Sequence, residues 1–249
     1  MEDLKETIDR LIEIGGKLAE PRTIEIGGKT YSDRRMERYG KADYAKKLIG
    51  STLTGILDYA QHIMPLERPG CSGRYFFRIV SEKCVQLVGL LDEEAEREIL
   101  YDATAITTEF LFNRWIPQDE FIISLQANFV PTDDLEAIKA VSGNVQAKTV
   151  ATYGDDGTTQ KAVIKCGIAT AEEILVPNPV SLIPYRTFNE IIQPESEFVY
   201  RIQQNNREEP EFKLVAADGD AWKLVAIARI RAYLEHEIKM RGIDCDVIG

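Results

Sequence analysis

Histidine is the usual general base near neutral pH and a common metal ligand, and this chain holds only two, His62 and His236. Each stands among aliphatic residues in a stretch of helical periodicity, where a packing or rim histidine belongs. No H-x-H, H-E-x-x-H or H-x-E pattern occurs, and no G-x-S-x-G elbow would expose a serine nucleophile. The four cysteines, Cys71, Cys84, Cys166 and Cys245, are far apart and form no C-x-x-C pair. Their spacing defines no zinc site and fits a reducing compartment. Glu235, His236, Asp244, Cys245 and Asp246 bring ligand-type side chains together near the C-terminus, in a spacing that matches no known metal site. The expectation is therefore no catalytic residue, no metal site and no cofactor.

Two short motifs resolve into turns. Gly28-Lys29-Thr30 ends like a phosphate-binding loop, but that loop needs glycine five positions before its second glycine, where Thr23 stands. Asp155-Asp156-Gly157 lacks the alternating ligands and closing glutamate of a calcium loop and reads as a hairpin tip. The most suggestive chemistry is electrostatic. Residues 33–47 hold six basic and three acidic side chains, and the first fifty residues carry +1 against −12 for the rest. Arg34, Arg35, Arg38 and Lys41 are expected to form one positive surface for an anionic partner. An acidic patch on a neighbouring subunit comes first as that partner and nucleic acid second, the alternative being a solvated turn. Arg114 and Trp115 join them as candidate anion-binding and stacking residues, while Trp222 belongs to a helix face and to the core.

These side chains need elements to position them. A chain of 249 residues with 44% hydrophobic residues can bury a core without disulfides. The net charge of −11 disfavours nucleic acid over most of its surface. The N-terminus MEDLKETIDRL is amphipathic and acidic, unlike a signal peptide, and no apolar run reaches the length of a membrane span. A cytoplasmic location and no membrane partner are expected.

The clearest punctuation lies between Phe121 and Gly167. Thr132 suits an N-cap, with Asp133 and Asp134 at the positive end of the dipole. Leu135, Ile138 and Val141 follow at helical spacing, and Gly143 is read as a left-handed closing residue. Residues 145–152 then alternate as a strand, residues 154–157 turn, and 162–166 run back.

Elsewhere the spacing predicts a helix over 3–14 ended by Gly15-Gly16, and a hairpin about Gly27-Gly28. A second helix is read over 43–63, followed by strands in RYFFRIV, CVQLVGLL and 97–106 with an acidic turn before the last. Pro117 opens a short helix with the stripe Phe121, Leu125 and Phe129. The proline-rich run 172–191 suits a sheet edge. Strands around 198–202 and 212–215 come next. A long final helix follows Asp218-Gly219-Asp220 and stops at Gly242, with an apolar face through Trp222, Val225, Ile227, Ala228, Ile230, Tyr233, Leu234 and Ile238.

The fold class read from this order is α+β, mostly antiparallel sheets with long amphipathic helices including a C-terminal one. A weak boundary near 107–117 divides an N-terminal α+β region, 1–110, which carries the basic segment, from an α+β domain, 111–249. One continuous domain is the alternative.

Three stretches carry a resemblance: GDDGTTQKAVIKCGIA, then VPNPVSLIPYRTFNEIIQPESEFVYRI, then AADGDAWKLVA with IRAYLEHEI. They resemble the YfdQ-like family of phage and prophage proteins, whose role is undefined. The likeness runs from about Ser51 through the final helix and is weakest over the first fifty residues. Its motifs are turn glycines, edge prolines and apolar strands. It implies a cytosolic accessory protein of a phage or prophage. The first functional expectation is a non-enzymatic, self-associating accessory protein, its partner being itself as a homo-oligomer. One alternative is a counter-defence protein that binds a nucleotide signal or a host defence protein. The other is a recombination accessory factor touching single-stranded DNA through the basic segment.

Overall fold

The computed structural model of the chain describes residues 2–19, 23–26, 29–33, 46–63, 75–91, 95–145, 160–166, 170–176 and 178–249. The fold is α+β with mostly antiparallel sheets, and the chain divides into two units, Met1–Ala45 and Lys46–Gly249. In the first, helix α1 spans Glu2–Ala19, and strands β1, Thr23–Ile26, and β2, Lys29–Ser32, form an antiparallel hairpin. The hairpin agrees with the sequence. The stop at Gly15-Gly16 does not: α1 runs through both glycines to Ala19. Glycine inside a helix costs about 1 kcal/mol but blocks nothing, and Lys17, Leu18 and Ala19 beyond are good helix formers. Arg34, Arg35, Arg38 and Lys41 lie outside the described residues, so the basic segment has no structural account.

The second unit holds two apolar cores, each under its own sheet. The first sheet has strand order β10-β11-β12-β7, with β7 Ile116–Pro117, β10 Val180–Leu182, β11 Ser196–Gln204 and β12 Pro210–Ala216, all antiparallel. Helices α3, Gln118–Asn128, and α4, Asp133–Asn144, pack on it. Its core is aromatic. Phe121 stacks on Phe212 at 5.2 Å, and Phe110 meets Phe129 edge-on at 5.0 Å, spacings at which ring quadrupoles attract. The Ser142 and Tyr200 hydroxyls hydrogen-bond at 2.8 Å inside this core, so burying them leaves neither unpaired. The proline-rich run does supply an edge strand, β10. A separate two-stranded sheet pairs β8, Gln160–Cys166, with β9, Thr170–Val176. The strand expected to precede it lies outside the described residues beyond Val145.

The second sheet has order β13-β4-β5-β6-β3, with β3 Leu48–Gly50, β4 Tyr75–Ser81, β5 Cys84–Leu91, β6 Arg97–Thr104 and β13 Asp246–Ile248. Its centre is antiparallel and its two edge pairings, β13 with β4 and β3 with β6, are parallel. Helices α2, Leu53–Ile63, and α5, Ala221–Arg241, cover one face. The other face keeps Arg78, Gln86 and Asp102 in register across three strands.

Three local expectations shift here. Residues 48–50 are strand and not helix, because β3 pairs with a strand fifty residues away, and Gly50 fits under Tyr101 where a Cβ would meet the ring. Gly143 is helical, because α4 continues to Asn144 and its last carbonyls are met by other donors. Gln118 Nε2 donates to Ser142 O at 2.6 Å and to Val145 O at 3.3 Å, and Asn144 Nδ2 donates to Ala140 O. No left-handed residue is then required. On α5 the buried stripe is Trp222, Ala226, Ile230, Leu234 and Ile238, one residue per turn, while Val225 and Ala228 are exposed. The broad face read from the sequence is thus narrower. Of the acidic turn expected before β6, residues 92–94 lie outside the described residues, and Ala95 after them stands at φ 61°.

Candidate functional site

Between β10 and β11 the chain makes no strand for residues 183–195. Val180 and Leu182 belong to the aromatic core, Phe188 and Ile191 to the other, and Phe198 to the first again. This crossing segment ties the two cores together, and its polar groups are matched almost one by one. Val130 N donates to Ile183 O at 2.8 Å and Tyr185 N to Asn128 O at 2.9 Å. Thr187 Oγ1 donates to Glu82 O, and Thr54 N, in the first turn of α2, donates to the Glu190 carboxylate at 3.3 Å. Arg229 Nη1 on α5 donates to Ile192 O and Gln193 O, both at 2.9 Å.

Gln193 is the hub. Its buried Oε1 accepts from Arg186 N at 3.1 Å and Thr187 N at 3.2 Å, and its Nε2 donates to Phe188 O at 2.8 Å. A glutamine suits this place because one planar group offers two acceptor lone pairs and two donors.

Against this segment lies a cleft of about 580 Å³. Ile106 and Thr108, on the connection after β6, line it together with Val130, Ile183, Tyr185, Asn189, Ile191, Ile192 and Gln193. Such a volume lies in the range of small-molecule sites, roughly 300–1,000 Å³. Among the described residues nothing charged lines it.

Next to the cleft in sequence, Arg186 is buried to 9% exposure. Its guanidinium lies 3.9 Å over the Trp222 ring. Nη2 donates to Ser196 Oγ, which donates to Asp218 Oδ2, and the Arg186–Asp218 ion pair itself is 3.9 Å. Nε has no partner. Burial lowers this guanidinium to about 10, while Asp218 and Asp220 pull upward. The cation is thus held by a ring and by a relay through serine. It pins the start of α5 to the crossing segment.

On the outer face of the five-stranded sheet, Asp102 Oδ2 accepts from Lys47 Nζ at 3.0 Å and Gln86 Nε2 at 3.1 Å, and Cys84 Sγ donates to Oδ1 at 3.4 Å. Burial opposes ionisation, yet the bonds from Lys47, Gln86 and Cys84 together hold the carboxyl below its usual range. The same geometry, with burial leading, pushes the Cys84 thiol up. Burial drives Cys245 up to about 12. These groups are poor nucleophiles and poor proton donors near neutrality. Among the described residues no group of histidine, cysteine and carboxylate side chains is arranged to hold a metal, and no helix is long and apolar enough to cross a membrane.

Of the site residues read from the sequence, Arg114 and Trp115 are described and both are exposed. They precede β7, and the Lys213 ammonium of β12 sits 4.4 Å over the Trp115 ring, so one stacking face is already taken. Arg186, Gln193 and the cleft escaped the sequence reading, although the proline- and asparagine-rich run around them was legible as non-strand. No family model matches the chain, and comparison with curated proteins and with solved structures gives no match.

Proposed function

We propose that this chain is a non-enzymatic binding protein that works self-associated, with its first unit supplying the contact between copies. One observation carries this reading. Ile8, Leu11, Ile12 and Ile14 on α1 are 48–67% exposed, and none of the residues of Met1–Ala45 whose burial is described is buried. In proteins most of a helix's stability comes from packing its amphipathic face. Each large aliphatic side chain moved from water into a contact contributes roughly 1.5–3 kcal/mol. A second copy presents the same stripe, and a two-fold contact between identical surfaces is self-complementary.

The raised pKa of the Cys84 and Cys245 thiols, which leaves little thiolate near neutrality, supports the non-enzymatic half of the reading. The resemblance to phage and prophage proteins supplies the setting, a cytoplasmic accessory protein. Light scattering on the full chain at micromolar concentration tests the proposal. The expected result is an oligomer that becomes a monomer in Leu11→Glu/Ile12→Glu. A wild-type monomer, or an oligomer indifferent to that substitution, overturns it.

A further inference from the structure

We propose that the cleft beside the crossing segment binds an uncharged, mostly apolar small molecule that carries a hydroxyl or carbonyl group at one edge. The lining chemistry sets the class. In a chain with 29% charged residues, no aspartate, glutamate, lysine, arginine or histidine lines the cleft among the described residues. Branched aliphatic side chains dominate: Ile183 and Ile191 inside, Ile106 and Ile192 at 77% and 79% exposure. A phosphate or carboxylate would leave water here without a cation to receive it, at a cost no apolar contact offsets. The neighbouring Arg186 guanidinium is already engaged by Trp222, Ser196 and the Asp218 carboxylate.

The polar groups divide cleanly. The Gln193 amide is consumed by four backbone partners. Tyr185, Asn189 and Thr108 line the same cleft, and their side chains make no hydrogen bond to another described residue. These three offer donors and acceptors that a neutral ligand can use for orientation.

The crossing-segment side is also fixed in advance. Glu82, Thr54 and Arg229 bond this segment from other elements, and Gln193 bonds it from within. A wall already ordered costs a ligand little further ordering. That distinguishes this cleft from the apolar stripe of α1, whose aliphatic side chains are exposed.

The experiment is a titration of the full chain with the neutral fluorophore N-phenyl-1-naphthylamine, beside a fluorescent ATP analogue as anionic probe. Ile106→Asp and Ile192→Asp alter exposed side chains, so folding is unaffected, which far-ultraviolet circular dichroism verifies. The expected result is saturable one-to-one binding of the neutral dye. Either aspartate variant weakens it about tenfold or more, Leu11→Glu/Ile12→Glu leaves it unchanged, and the ATP analogue does not bind. Four results overturn the inference. They are no saturable binding, equal affinity in the aspartate variants, variant-sensitive binding of the ATP analogue, or loss of an oligomer in native mass spectrometry of the aspartate variants. The last would make the cleft a contact between copies.

Discussion

Gln193 offers the sharpest test of how the crossing segment is held. Replacing it with leucine keeps the volume but strips the amide N–H groups of Arg186 and Thr187 of their partner, while Phe188 O still accepts from Ile191 N at 3.4 Å. Each buried group left unpaired costs about 1–3 kcal/mol, so at least ~2 kcal/mol is expected for the two. For a chain of this size 1 kcal/mol moves the melting temperature by about 2–4 °C, which gives a fall of about 4–8 °C. Gln193→Glu is more discriminating. As a neutral acid, its carbonyl oxygen still accepts from the two amides and its hydroxyl donates to Phe188 O. As a carboxylate it sets a second acceptor where Nε2 stood, 2.8 Å from the Phe188 oxygen. Arg229 opposes this, but its guanidinium is spent on the backbone oxygens of Ile192 and Gln193. The folded-state pKa of the new carboxyl is therefore raised above its unfolded value of about 4.3. The contribution of this group to stability is full below about pH 4.3 and is lost as pH rises through the folded pKa. Melting curves from about pH 4 to pH 8 should show Gln193→Glu near wild type at the acid end and several degrees below it at the other. A constant offset across that range would refute the assigned hydrogen-bond pattern.

Three further outcomes are expected. Trp222→Ala should cost about 3–5 kcal/mol in urea unfolding, as other large buried aromatics do, because it removes both packing and the ring under Arg186; Trp222→Phe should lose less. Gly50→Ala should cost about 1–3 kcal/mol by overpacking against Tyr101, and adding Tyr101→Leu should recover part of it. Asp102→Asn removes the negative acceptor that raises the Cys84 pKa, so alkylation of Cys84 by iodoacetamide near pH 8, read by peptide mass spectrometry, should quicken. An unchanged rate would mean that Asp102 does not face the thiol.

Much of the secondary structure was legible because its causes are local. Thr132 caps α4 through its own hydroxyl to Leu135 N at 3.2 Å. Gly242 closes α5 at φ 65°, and the alternation of Tyr75, Phe77 and Ile79 builds an inward face within one strand. Each effect spans a few residues, so spacing alone carries it. The misreadings share the opposite property. Gly143 was free to stay helical because Gln118, twenty-four positions before Ser142, supplies the donor that a left-handed cap would otherwise replace. Residues 48–50 became strand because β6 offered an edge. The buried stripe of α5 includes Ala226 and omits Val225, since the close approach of the sheet selects position over hydrophobicity. The cleft lies furthest from sequence reach. Its walls come from chain positions 106 to 193, and its emptiness of charge exists only once those walls meet. Periodicity reports which side chains leave water, whereas a binding site depends on which of them face one another, and that is fixed by long-range packing and by the partners that spend, or spare, each polar group.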